Sequence, residues 1–237
     1  MQRIEIIYEL GALEPLQVWN EIANILSSID DSHSLTIYGK NVKPSKMSEE
    51  IKKLKGKAFN IISETFEFHM VTVTNYEQIL VQIESKKSVD DWWRIWIKKF
   101  IKLRGFVQAW IVDTDFNYWQ NVSDPIEYKS RGKSCKGLLM KSNGLPPPLE
   151  QLEIDISKNA GLRKLCVGYV EAIGAKMWLS ERFLERIGKS IEYISNESGA
   201  KITYLQGDIY MLSQPFNSFV DDRSIVEQRK LRKALYG

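Results

Sequence analysis

Histidine and cysteine are scarce: the 237-residue chain has two of each, His33, His69, Cys135 and Cys166. No CxxC pair, HxH or HExxH occurs around them. That removes the usual spacings of a thiolate zinc site or a histidine-based metalloprotease centre. Two isolated cysteines without a secretory context are expected to be free thiols in a reducing compartment, not a disulfide. Long apolar runs are also missing, and nothing approaches the roughly 18 residues of a membrane span. The first residues, MQRIEIIYELGALEPLQ, are too charged for the apolar core of a signal peptide. A strong charge imbalance is absent too. A formal charge of +3 is far from the clustered basic surface of a dedicated nucleic-acid binder, so nucleic acid is not the expected partner. The expected address is cytoplasmic, and no cofactor is indicated.

What the chain has is ordinary globular material. Hydrophobic residues make up 43% and charged ones 27%, with seven Trp and ten Tyr, enough to bury a sizeable core without staples. The periodicity predicts an α+β fold: a mixed, mainly antiparallel sheet with packed helices, read as one domain over 1–237. If the chain divides into two similar-sized lobes, the boundary falls within 118–150, where Pro146-Pro147-Pro148 makes a stiff seam.

Ile4, Ile6, Tyr8 and Leu10 alternate with charged residues as in a strand, and Gly11 ends it. Pro15 then suits the first turn of a helix whose stripe is Leu16, Trp19, Ile22, Ala23, Leu26 and Ile29. Ser34–Tyr38 reads as a short strand. Ile51, Leu54, Ala58, Ile61 and Ile62 fit one face of a helix starting at Ser48, and the surrounding lysines of 40–57 read as its solvated face. Two strands, Glu67–Thr74 and Gln78–Glu84, flank a short hairpin turn. Ser88 and Asp91 then resemble a capping box before Trp92, Trp93, Trp96, Ile97, Phe100, Ile101 and Leu103, a stripe whose spacing marks core more than a ligand platform. A central strand follows over 105–113. Beyond the next loop, 165–178 is strand-like with breaks at Gly168 and Gly174. Ser180 caps a helix closed at Gly199, 201–212 is a last strand, and 221–237 is a short charged helix expected to dock poorly.

The stretch Tyr118–Glu150 shows no helical or strand period, yet it carries Trp119, Tyr128 and Leu138-Leu139-Met140, which should pack onto something. Structureless connections of this length are uncommon and tend to be functional. Arg131-Gly132-Lys133-Ser134 superficially resembles a phosphate loop, but the earlier glycine is missing. Asp113 and Asp115, with Asp155 further on, could place carboxylates around a divalent cation, the alternative reading being a metal-dependent enzyme. Tyr118, Trp119, Tyr128 and Arg131 are the residue types that anchor protein interfaces, and Asp113, Asp115, Asp124 and Glu127 could complement a basic partner.

The segments YWQNVSDPIEY, RGKS, MKSNGLPPPLEQLEIDISKNAG and GYVEAIGAKMWL, spread over about Asp113–Phe183, resemble a group of bacterial proteins associated with polymorphic-toxin and type VI secretion gene neighbourhoods and regarded as immunity proteins. Ala160 stands where the group's pattern has a proline. The resemblance covers none of the first hundred or so residues and brings no catalytic motif. It implies a cytoplasmic antidote that binds a cognate toxin domain. The expected contact residues are then Asp113, Asp115, Tyr118, Trp119, Asp124, Tyr128 and Arg131, with no metal and no membrane involved.

Overall fold

The computed structural model describes residues 1–31, 33–54, 58–87, 91–215 and 219–237. Its frame is a ten-stranded sheet in which every recorded pairing is antiparallel. Strands β1 (Gln2–Glu9) and β7 (Phe106–Asp113) lie side by side at its middle. Beyond β1 come β6 (Gln78–Ser85), β5 (Phe66–Val73), β4 (Ala58–Ile62), β2 (Leu35–Ile37) and β3 (Lys40–Val42). Beyond β7 come β12 (Lys176–Ser180), β14 (Ile209–Ser213) and β13 (Lys201–Leu205). The fold is thus α+β and mainly antiparallel, as the periodicity predicts.

Antiparallel sheets commonly keep one face wet. Here β1 and β7 are buried along both faces, because helices cover opposite faces of the two halves. Helices α1 (Pro15–Ser28), α2 (Pro44–Lys53) and α3 (Trp93–Phe100) share one core with Ile4, Ile6 and Tyr8 of β1 and the inward residues of β4–β6. Helices α6 (Glu181–Ile187), α7 (Ile191–Ser198) and α8 (Ile225–Tyr236) share the second core with Ile7, Trp110, Met177, Leu179 and Leu212. On the far side of β4–β6 the alternating positions are polar: Asn60, Glu67, His69, Gln82 and Glu84.

The α3 stripe is core, as its spacing predicts. Trp96 is fully buried, its ring centroid 5.0 Å from Phe66, 5.1 Å from Phe68 and 6.4 Å from Phe100. Tyr8 crosses the same core and donates its hydroxyl to the Phe100 carbonyl at 2.8 Å. Pro15 opens α1, and Glu14 and Gln17 close a reciprocal capping box before it. Ser180 caps α6 as expected.

Five expectations need correction. The helix expected from Ser48 is α2 over Pro44–Lys53, and its supposed continuation through Ala58, Ile61 and Ile62 is strand β4 instead. Phe59 and Ile61 sit two apart on the buried face of β4, a period the helical spacing had masked. The helix from Ser180 to Gly199 is two helices, because Gly188 in left-handed conformation closes α6 and Ser190 caps α7. The last strand, 201–212, is the β13–β14 hairpin turned at Gly207. The terminal helix docks firmly: Leu231, Ala234 and Leu235 are buried, and the Tyr236 hydroxyl donates to the Ala172 carbonyl at 2.9 Å. Asp91 has a left-handed backbone, so the helix it precedes is not entered through a conventional box; Ser88 lies outside the described residues.

Candidate partner-binding site

Between β7 and β12, neighbours in the sheet, the chain makes a long excursion, and all the predicted site residues lie on it or at its root. It is not structureless. Helix α4 (Thr114–Asn121) and helix α5 (Pro125–Ser130) open it, followed by a two-stranded hairpin of β8 (Met140–Ser142) and β9 (Leu152–Ile154). A second hairpin, β10 (Lys164–Cys166) with β11 (Tyr169–Glu171), returns the chain to the sheet. The first helices are too short to display an apolar period, but their caps are in the sequence. The Asp113 carboxylate accepts from the Phe116 N–H at 2.9 Å, and Asp124, just before Pro125, accepts from the Ile126 N–H at 2.7 Å. Both carboxylates therefore serve the backbone, as N-caps commonly do.

The remaining predicted residues come together. The Trp119 ring packs edge-on against Tyr118 at 5.0 Å and Tyr128 at 4.8 Å. Arg131 lies over Tyr118 at 4.1 Å and Lys133 over Trp119 at 3.8 Å, both favourable cation–ring contacts. Asp115 accepts from the Trp119 indole N–H at 3.2 Å. Tyr118 donates to Glu127 at 2.6 Å, and that bond to a carboxylate raises the phenol's pKa. Burial does the same to Tyr128. The cluster is thus satisfied from within and ties α4 to α5. Asp155 stands apart. Bonds from Ser157 hold its carboxyl below the usual carboxylate range. Among the described residues no three His, Cys, Asp or Glu side chains are grouped to hold a metal ion, so Asp113, Asp115 and Asp155 do not converge on one site.

Polar bonds tie α4 to the returning half of the excursion, and one ion pair docks that half onto the body. Asn121 donates to the Gly161 carbonyl at 3.1 Å and accepts from the Arg163 N–H at 2.6 Å. Gln120 accepts from the Gly161 N–H at 3.0 Å, and Arg163 reaches the buried Glu5 of β1 at 3.1 Å. A Cβ on Gly161 would come within 2.7 Å of Gln120 Cγ. Gly161→Ala must therefore displace the Gln120 side chain and disturb its bond to this turn. The expected loss is about 1–3 kcal/mol, the usual cost of forcing extra volume into a packed contact, read as a lower midpoint in thermal denaturation.

Leu138, Leu139 and Met140, expected to pack onto something, are exposed instead. Six of the twenty exposed large hydrophobic side chains among the described residues fall within 138–152: these three with Leu145, Leu149 and Leu152. From 114 to 163 only Ile154 and Ala160 are buried, so this segment has almost no core of its own. Scattered surface leucines need no explanation, and a concentration of them in one segment is a candidate contact surface. The tip carrying Leu145 and Leu149 is nevertheless ordered. Asn143 donates from its side chain to the Leu149 carbonyl at 3.0 Å, while its Oδ1 accepts from the N–H groups of Leu145 and Gln151 at 3.1 and 3.2 Å. These residues were missed in the sequence. The signal for them was Asn143-Gly144, a turn dipeptide just ahead of Leu145.

No protein-family model matches the chain, and no curated protein sequence matches it. A solved structure does: that of the Pseudomonas aeruginosa T6SS protein PA0821 is similar with a TM-score of 0.56, over 99% of this chain and 72% of that one. The two share a fold. At 11% identity the likeness extends to the fold alone. No helix among the described residues is long and apolar enough to cross a membrane.

Proposed function

We propose that this chain is an immunity protein: a cytoplasmic antidote that binds the toxic domain of a cognate type VI secretion effector and blocks it by contact, without catalysis of its own. The observation that carries the reading is the ordered hairpin with its exposed leucines. A stable complex needs roughly 1,600 Å² of buried surface with a few apolar or aromatic anchors. Leu139, Leu145, Leu149 and Leu152 are such anchors, already held in place, so binding them loses little conformational entropy. Tyr118, Trp119, Tyr128 and Arg131 form the adjoining scaffold, with Asp115 at its edge. The fold shared with a T6SS protein and the resemblance over Asp113–Phe183 support the same setting.

The test is co-expression with the product of the adjacent gene. A one-to-one complex on size exclusion, and growth restored to cells that express that product, are expected. If no neighbouring product is bound or neutralised, the reading fails.

A further inference from the structure

The two faces of the sheet are covered unequally beyond β7. One face of β12, β14 and β13 is packed under α6–α8 through Leu179 and Leu212. On the other face an open groove of about 510 Å³ lies between these strands and α3 with the turn that follows it. Its floor is apolar: the part-exposed Met211 and Leu205 lie over Trp93 and Trp178, whose ring centroids are 5.3 Å apart and which are themselves nearly buried, 8% and 2% exposed. Its walls carry Arg94 and Lys98 from α3, Lys102 from the turn after it and Lys176 from β12, and no carboxylate lines it. Arg94 pairs with Asp91 at 2.7 Å. No ion pair is recorded for Lys98, Lys102 or Lys176 among the described residues. The register places Lys176 opposite Ser213 and Ser213 opposite Lys201, which adds a further cation to the same row of the sheet. Lys176 also lies 5.9 Å from the centre of the Trp93 ring, so the cation and the apolar floor are adjacent.

We propose that this groove is a binding site for an amphipathic organic anion: a flat or hydrocarbon body resting on Met211, Leu205 and the exposed edge of Trp93, with its acidic group among Lys98, Lys102 and Lys176. The volume falls in the range of small-molecule sites, roughly 300–1,000 Å³, and so does the pattern of an apolar floor with a few convergent polar groups. Unpaired lysines above an apolar floor are what a carboxylate, sulfonate or phosphate on an apolar body requires, since charge-assisted bonds strengthen where water is partly excluded. The site is on a different part of the sheet from the leucine hairpin, and its occupancy does not depend on the antidote reading.

The experiment uses the full chain and two fluorescent probes with nearly the same body. 8-Anilinonaphthalene-1-sulfonate carries an anion and N-phenyl-1-naphthylamine does not. The anionic probe is expected to bind about tenfold more tightly, the least that one charge-assisted contact would give, with energy transfer from tryptophan. Lys98→Gln/Lys102→Gln/Lys176→Gln should abolish that preference while leaving the thermal midpoint in place, these being surface side chains. Leu139→Ser/Leu149→Ser should leave the preference intact. Equal binding of the two probes overturns the proposal, as does an anion preference that survives the lysine changes or disappears with the hairpin leucines. Failure of both probes to bind overturns it as well.

Discussion

Trp96→Ala is expected to destabilise the fold by about 3–5 kcal/mol, the range for truncating a large buried aromatic. The indole is fully buried at the centre of the first core, in contact with Phe66 and Phe68 from β5 and Phe100 from its own helix. Those partners belong to different elements, so the cavity cannot be closed by moving one side chain. At roughly 2–4 °C per kcal/mol for a chain of this size, the thermal midpoint should fall by about 10 °C. Trp119→Ala provides the contrast. Trp119 is only half-buried and packs within the excursion, so its loss should cost roughly 1 kcal/mol, nearer the cost of ordinary substitutions. Equal losses at the two positions would show that the Trp96 cluster is not the centre of the core.

The sequence revealed the sheet better than its decoration. β1, β5, β6 and β7 are long, rich in β-branched and aromatic residues and bounded by glycine or polar turns, and each was predicted within a residue or two. The stretch 48–62 failed because Ile51, Leu54, Ala58, Ile61 and Ile62 satisfy a helical stripe, whereas pairing of Asn60 with His69 and Ile61 with Phe68 draws the second half into the sheet. Tertiary pairing outweighs local period there. The terminal helix was undervalued because charge dominates its composition. Leu231, Ala234 and Leu235 lie in the second core, Gln228 is buried with its amide donating to Ser224, and Arg232 donates to the Leu162 carbonyl at 2.6 Å.

The site was legible in part. Residue type and proximity in the chain brought out Tyr118, Trp119, Tyr128 and Arg131, and the fold assembles them. What residue type could not show is that the cluster satisfies itself, with Asp113 and Asp124 spent on helix caps. Exposure of leucines is likewise invisible in a sequence, because an apolar residue in a loop is expected to turn inward. Only the three-dimensional arrangement shows that the excursion lacks the volume to bury them.

Under the antidote role proposed above, Leu139→Asp/Leu149→Asp/Leu152→Asp is expected to weaken binding to the effector at least a hundredfold while leaving the fold intact. The three side chains are 66%, 60% and 64% exposed, so charge at these positions is hydrated in the free protein and the thermal midpoint should move by no more than a degree or two. In a complex the balance reverses. Each leucine buried against a partner contributes about 1.5–3 kcal/mol, and each aspartate in its place must lose hydration without a paired cation. Even partial burial of the three exceeds the roughly 2.7 kcal/mol that a hundredfold change represents. Affinity measured by calorimetry should fall while the circular dichroism spectrum is retained, and cells expressing the effector should lose protection. Asn143→Ala separates anchor from support. It removes the side-chain bonds that order the tip but keeps the leucines, so affinity should drop by a smaller factor, mainly through faster dissociation. Unchanged affinity in the triple variant would exclude the hairpin as the contact surface. Loss on Tyr118→Ala or Arg131→Ala alone would then move the interface to the aromatic cluster at its base.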